Sequence, residues 1–476
     1  MISIFSARWV LPIISPVIES GAVAFEGSNI IAVGPRTEIA SRFPDSRIED
    51  FGEAALLPGF VNAHSHLELT VMRGFLEREE NDFLAWLRKL TVARLAMTAE
   101  DLLVSATCGA IEAARAGVTC LGDASSAATQ ATKALQAVGL RGTVYQESFG
   151  PDPKLAAENV ASLREQISEL RTMETELVRC GVSPHAPYSV SGPQLELISR
   201  LALDEQLPVM MHAAESQAEK LFMLKGQGAF AEVLRARGIE WQAPGISTIQ
   251  YLKRHGVLEA RPLFAHCINV DDSDLELIKQ SGAGIAHCPR SNLKLGHGRA
   301  PFAEFIARGL RVGLGSDSVA SNNTCDLLEE ARFATLLARL DQVGSPTGTD
   351  GSDPLDNETI GTHPDASAPA AVDAEQALFA ATLGGARAMG RDDQIGALAP
   401  GMQADITVVN LNGAHQQPAA DPSAALVFAS SARDVLLTMV AGKEIYRDGR
   451  VNGLDESEFQ QCLAQVRSRI DSTASI

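Results

Sequence analysis

An eight-fold (β/α) barrel, α/β in class, joined to a small β-sandwich domain built from both chain ends is the fold this sequence predicts. Three observations predict it. Residues 58–392 alternate short apolar or β-branched runs with longer Ala/Leu/Glu-rich stretches, the pattern of a parallel sheet with helical crossovers. Both ends carry short apolar runs broken by glycine, the pattern of a small antiparallel sheet. Histidine or aspartate recurs just after the apolar runs of the middle part, and barrels of this class keep their chemistry at the C-terminal ends of their strands.

The elements follow in order. Residues 9–12, 21–27 and 30–34 read as strands of the N-terminal part, which spans 1–57. Within the barrel, 117–122, 142–145, 208–212 and 310–315 read as strands, and 99–116, 154–171 and 192–205 as helices. The stretch 343–372 is crowded with Gly, Ser, Thr, Pro and Asp and lacks apolar periodicity. It reads as a flexible, solvated insertion on the barrel surface, with a lid role left open. Residues 393–476 return to strands at 401–409 and 440–450, then end in a helix near 455–470.

The chain has 476 residues, 45% of them hydrophobic, enough for one large domain and a smaller one. Lys and Arg number 40 against 59 Asp and Glu, a formal charge of -19. A surface this acidic repels phosphate backbones and anionic lipid, which argues against nucleic-acid and membrane partners. The seven cysteines, at 108, 120, 180, 267, 288, 325 and 462, are odd in number and form no Cys-x-x-Cys pair. Neither a disulfide framework nor a zinc ribbon is expected. With no basic leader before an apolar core and no run of membrane-spanning length, the reading is a cytoplasmic protein.

His64-Ser65-His66 is the first chemical signal. Two histidines one residue apart on a strand point to one face, where a single divalent metal can take both imidazoles. On its own such a pair is more often a packing or surface feature. Its weight comes from later strand ends: His185, His212, His266, His287 and Asp317 each close an apolar run, in a chain with only 10 histidines. Packing does not account for five such ends.

Roles then follow from the chemistry. His64, His66 and His212 supply three nitrogens and Asp317 an oxygen, leaving room for a water whose pKa the ion lowers. Asp317 can take that water's proton. Glu215, three residues after His212, is placed to protonate a ring nitrogen of the substrate while the adjacent carbon is attacked. His266 can orient the water and stabilise the developing alkoxide. No lysine stands at a strand end to bridge two metals, so one metal is expected. The ligand set suits zinc, with iron as the alternative.

Several segments together resemble the amidohydrolase superfamily, in its branch of nucleoside and nucleobase deaminases and triazine hydrolases. They are Pro58-Gly59-Phe60-Val61-Asn62-Ala63-His64-Ser65-His66, Ser183-Pro184-His185-Ala186-Pro187-Tyr188, His212-x-x-Glu215, His266-Cys267, Cys288-Pro289-Arg290-Ser291-Asn292 and Gly315-Ser316-Asp317-Ser318. The likeness covers nearly the whole chain. It implies a (β/α)8 barrel with one catalytic metal, usually zinc and sometimes iron, held at His64, His66, His212 and Asp317. It implies acid–base roles at Glu215, His266 and Asp317, and dimers are common among such relatives.

The substrate reading is finer. Asn292-Leu293-Lys294-Leu295 and Ser321-Asn322-Asn323 resemble methylthioadenosine/S-adenosylhomocysteine deaminases. Two positions depart from them: the ribose-binding glutamate aligns with Leu95, and an arginine after the third strand aligns with Gln146. His64-x-His66-Leu67-Glu68, Asp82-Phe83-Leu84-Ala85-Trp86, Tyr145-Gln146-Glu147 and Glu215-Ser216-x-x-Glu219 resemble instead the aminodeoxyfutalosine deaminases of menaquinone synthesis. Aminodeoxyfutalosine is therefore the first substrate expected, with Glu68, Trp86, Gln146 and His185 as candidate substrate-binding residues. S-adenosylhomocysteine or methylthioadenosine is second and an s-triazine or related heterocycle third. A barrel that binds metal and ligand without catalysis is the reading from another class; Glu215, His266 and Asp317 argue against it.

Overall fold

The computed structural model describes residues 1–340 and 371–473, so the insertion expected at 343–372 lies, apart from Ala371 and Val372, outside the described residues. Among the described residues eight strands form the barrel: Phe60–Ser65, Val118–Ser125, Arg141–Ser148, Val178–Pro184, Met210–Ala213, Leu263–His266, Gly284–His287 and Arg311–Leu314. They pair in parallel as two sets of four. Two seams join the sets. At one, the Val182 N–H donates to the Pro208 carbonyl at 2.9 Å; at the other, the Asp317 N–H donates to the His64 carbonyl at 2.9 Å. The first three strands are buried along their whole length, as a parallel sheet covered on both faces requires.

The helices show why the middle of the chain folds as it does. Helix Ala99–Arg115 starts at a reciprocal capping box between Thr98 and Asp101 and buries Ala106, Ala110, Ala113 and Ala114. Helix Asp272–Ser281 uses Asp271 and Asp274 in the same way and stops at Gly282, with φ 72°. Below the strands, Gly385–Ala388 lies against the barrel floor. A Cβ on Gly313 would stand 2.4 Å from the Gly385 Cα, so this approach requires glycine.

Both chain ends build the second sheet, nine-stranded among the described residues. Its order is Arg450–Val451, Lys443–Arg447, Val435–Val440, Ile406–Asn410, Ala54–Pro58, Ile2–Val10, Ile18–Glu26 and Asn29–Pro35, with Arg47–Asp50 added beside Ile2–Val10. Alternation along its strands separates two apolar layers, Phe5, Val23, Phe25 and Leu437 in one and Ile4, Ala22, Ala24 and Ile39 in the other. Ile406–Asn410 pairs antiparallel with Ala54–Pro58, which leads straight into the first barrel strand. A buried bidentate pair, Arg141 to Asp405 at 2.8 and 3.0 Å, fastens this sheet to the third barrel strand.

The terminal helix Glu456–Thr473 packs on the barrel. Its Val466 and Ile470 join Leu69, Met72 and Trp86, and Arg467 donates to the Arg73 carbonyl at 2.7 Å. The short helical turn after His66 is thereby held from behind. Among the described residues no helix is long and apolar enough to cross a membrane.

Candidate active site

His64 and His66 leave the end of the first barrel strand on one side of the chain, as the pleat demands. Ser65 points the other way and donates to Asp123 at 3.0 Å and to the Gly122 carbonyl at 3.2 Å. Asp123 also accepts the Leu67 N–H at 2.8 Å, so it fixes the strand's exit.

The histidines, His212 and Asp317 converge. Nε2 of His66 lies 3.3 Å from Nε2 of His212, and Oδ1 of Asp317 lies 3.3 and 3.5 Å from Nε2 of His64 and His66. These residues fit a divalent cation. Among the described residues, buried Nε2 of His64 has no hydrogen-bond partner, and it lies within 4.8 Å of donor atoms of His66, His212 and Asp317. His212 donates Nδ1–H to the His185 carbonyl at 2.9 Å, which leaves its Nε2 lone pair to the cluster. Burial holds His64 down to about 4 and His212 well below its ordinary value, so both are neutral donors. Ser291 at 2.5 Å and Ser321 at 3.0 Å donate to Oδ2 of Asp317, reserving Oδ1.

Beside the cluster stands Glu215, 4% exposed. His266 Nε2 is 3.7 Å from its carboxylate, His297 Nε2 3.5 Å, and the Tyr188 hydroxyl 3.5 Å. Burial alone would raise the Glu215 carboxyl; His266 and His297 outweigh it and bring it down to about 2. His266 is oriented by Asn292, whose side-chain oxygen accepts from Nδ1 at 2.8 Å. The backbone here is unusual: Ala214, His266, Cys267 and Asp317 hold φ of 53°, 75°, 48° and 57°. Each such non-glycine residue costs on the order of 1–3 kcal/mol, so its surroundings must hold it. They do so through bonds such as those from the Ile268 and Asn269 N–H groups to the Ala214 carbonyl, at 2.9 and 2.8 Å.

The cluster opens into a cavity of about 550 Å³, walled by Phe83, Trp86, Leu87 and Phe230 among others. Of the residues expected to bind substrate, Glu68, Trp86 and His185 line it. Gln146 does not; its amide turns to the Glu147 carbonyl at 3.1 Å, and the neighbouring Glu147 faces the cavity instead. Adjacent residues of a strand face opposite sides, so one step in register decides which is presented. Glu68 is held by Ser125 and by the Ala127 N–H at 2.9 Å, and burial followed by Glu147 pushes it up to about 7. Ser126 donates to Glu147 at 2.7 Å and its N–H to Glu68 at 3.3 Å, linking the two carboxylates. His287 ends its strand outside the cavity, stacked on Phe302 at 4.9 Å. His297 is the residue that sequence reasoning missed: it follows the short helix Pro289–Lys294 rather than a strand.

Such a ring at the C-terminal mouth of a parallel barrel is the setting of metal-assisted hydrolysis. Residues 55–445 match the model of the amidohydrolase family, and the chain belongs to that family. It is 30% identical over 454 residues to a 5-methylthioadenosine/S-adenosylhomocysteine deaminase of Nitratidesulfovibrio vulgaris, covering 95% of this chain and 92% of the relative. It is 31% identical over 457 residues to a protein of the same name from Pelotomaculum thermopropionicum, covering 95% and 94%. The crystal structure of an adenosine deaminase from Xanthomonas campestris with bound zinc superposes with a TM-score of 0.83, at 27% identity and 98% coverage of each chain.

Proposed function

We propose that this protein is a hydrolytic deaminase that replaces the 6-amino group of an adenine-type nucleoside by oxygen and releases ammonia. One observation carries the reading: Glu215, a buried carboxylate that is not needed as a ligand, stands beside the His64, His66, His212 and Asp317 cluster at the base of a nucleoside-sized cavity. His64, His66, His212 and Asp317 would hold zinc, which when bound would supply Lewis acidity towards water. The rest falls to the protein. Asp317 keeps Oδ1 available to receive a proton from the attacking water, because Ser291 and Ser321 occupy Oδ2. Glu215, ionised at rest, takes up a proton and delivers it to the ring nitrogen next to the attacked carbon. His266, fixed by Asn292, holds the water's approach and meets the developing negative charge. The C–N bond to the amino group then breaks, and ammonia leaves with the proton held by Asp317, the ring nitrogen having received water's other proton through Glu215.

For the substrate, the relatives support a 5′-substituted adenosine of the methylthioadenosine or S-adenosylhomocysteine type, ahead of aminodeoxyfutalosine. Aminodeoxyfutalosine is kept as the second reading because Glu68 and Glu147, joined through Ser126, place two carboxylates in the cavity wall. Ammonia release from adenosine, methylthioadenosine, S-adenosylhomocysteine and aminodeoxyfutalosine, by zinc-loaded and iron-loaded enzyme, decides between them. The highest kcat/KM on either of the middle two supports the first reading. No ammonia from any of the four overturns both.

A further inference from the structure

The turn that carries Glu215 is built in an uncommon way. Ser216 caps helix Gln217–Lys225, its hydroxyl accepting the Glu219 N–H at 3.2 Å. In an ordinary capping box the carboxylate at this position returns to the N–H of the cap residue. Glu219 instead reaches past Ser216. Its Oε1 accepts the Ala214 N–H and its Oε2 the Glu215 N–H, each at 2.9 Å. The Thr248 hydroxyl adds a third donor to Oε1 at 2.7 Å, and Ser247 beside it donates to Asp274 at 2.5 Å. Glu219 is completely buried and touches neither the cavity nor the metal ligands' donor atoms. The residue it grips, Ala214, is one of the left-handed positions of the site, with φ 53°.

We propose that Glu219 is a positioning residue for the reaction, clamping the Ala214–Glu215 turn so that the Glu215 carboxyl stands among His266, His297 and Tyr188. The inference rests on the acid–base role given to Glu215 above. Its chemistry is specific to a carboxylate. Three donors converge on two oxygens, so the group must be an acceptor at both. Glutamine keeps one oxygen and turns an NH2 group towards a backbone N–H, which breaks one arm of the clamp and sets donor against donor. Without both arms the left-handed turn relaxes, and Glu215 loses its fixed distance to the reacting ring.

The test uses the full-length, zinc-loaded protein. Glu219→Gln is expected to lower kcat by ~10–100-fold while KM stays within ~3-fold, because the ligand-binding wall is untouched. The double variant E219Q/E215Q is expected to be no slower than E215Q, since one residue acts through the other. Amide hydrogen exchange over residues 213–217 should quicken by ~10-fold or more in E219Q, with the remaining barrel strands unchanged. Wild-type kcat in E219Q, losses that multiply in the double variant, or unchanged exchange would each overturn the clamp. A thermal destabilisation with kcat intact overturns it too. Thr248→Val, which leaves both backbone bonds, should quicken that exchange by ~3-fold and carries the test if E219Q does not fold; no change there counts against the clamp. If the wild-type protein deaminates nothing, the functional reading fails, and the exchange comparison alone decides whether the turn is clamped.

Discussion

Asp317 closes the barrel onto His64 and also faces it across the site. Its backbone N–H donates to the His64 carbonyl at 2.9 Å, while its Oδ1 stands 3.3 Å from the Nε2 of the same histidine. The seam between first and last strands and half of the proposed ligand cluster are therefore the same two residues. Binding a cation there should tighten the barrel as a whole. Removing metal with a chelator is expected to lower Tm by roughly 5 °C or more, restored by stoichiometric zinc. Calorimetry on both forms checks this; identical Tm values would separate the cluster from barrel closure.

Ser291 sets how Asp317 presents its carboxylate, through a 2.5 Å bond to Oδ2. Ser291→Ala frees that oxygen, and zinc affinity is expected to fall by ~10–100-fold, as for other groups that orient a ligand. Competition with a chromogenic chelator measures it. Unchanged affinity would mean that Ser321, at 3.0 Å, suffices alone.

His297 faces Glu215 at 3.5 Å and helps to hold its carboxyl down to about 2 against the upward push of burial. His297→Ala removes a partner of the charged form, so the Glu215 pKa must rise. The acidic limb of the kcat/KM profile, where it reports Glu215, is expected to move to higher pH. A limb that stays in place would show that His297 does not hold the Glu215 carboxyl down.

Glu330 offers a test in the scaffold. It is fully buried in helix Leu327–Leu340, accepting from Asn322 at 2.6 Å and from the Arg290 N–H at 3.2 Å, and burial raises it to about 8. The folded protein then holds a proton that the unfolded chain, near 4.5, releases. Stability from this group is full below the unfolded value and is lost as pH rises towards about 8. Glu330→Gln is expected to flatten that part of the Tm profile relative to wild type between about pH 5 and about pH 8. Parallel profiles for the two proteins would show that Glu330 is ionised throughout.

The convergence of His64, His66, His212 and Asp317 was legible in the sequence because strand ends in a parallel barrel meet, and an apolar run followed by a His or Asp marks such an end. Glu215 followed from its spacing after His212. The limits are equally physical. His287 meets the same pattern yet stacks on Phe302, since a strand end does not say which way its last side chain turns. Gln146 and Glu147 differ by one residue, and strand register, which depends on the neighbours Val118–Ser125 and Val178–Pro184, presents the second. His297 reaches Glu215 from beyond a helix, through packing that no local pattern encodes. Glu219 carries a capping-box spacing, but its two oxygens go one and two residues further back than that spacing implies. At the chain ends, short glycine-broken runs announced strands, while their assembly into one nine-stranded sheet depends on pairing between residues about 350 positions apart, a relation local propensity does not hold.

One divalent ion held by His64, His66, His212 and Asp317 is proposed to serve the hydrolytic release of ammonia beside Glu215. Titrating zinc into metal-free protein while following ammonia release from the best nucleoside of the panel tests it most directly. Activity is expected to rise from zero and to saturate at one zinc per chain. Full activity without metal, or saturation only at two, would contradict it.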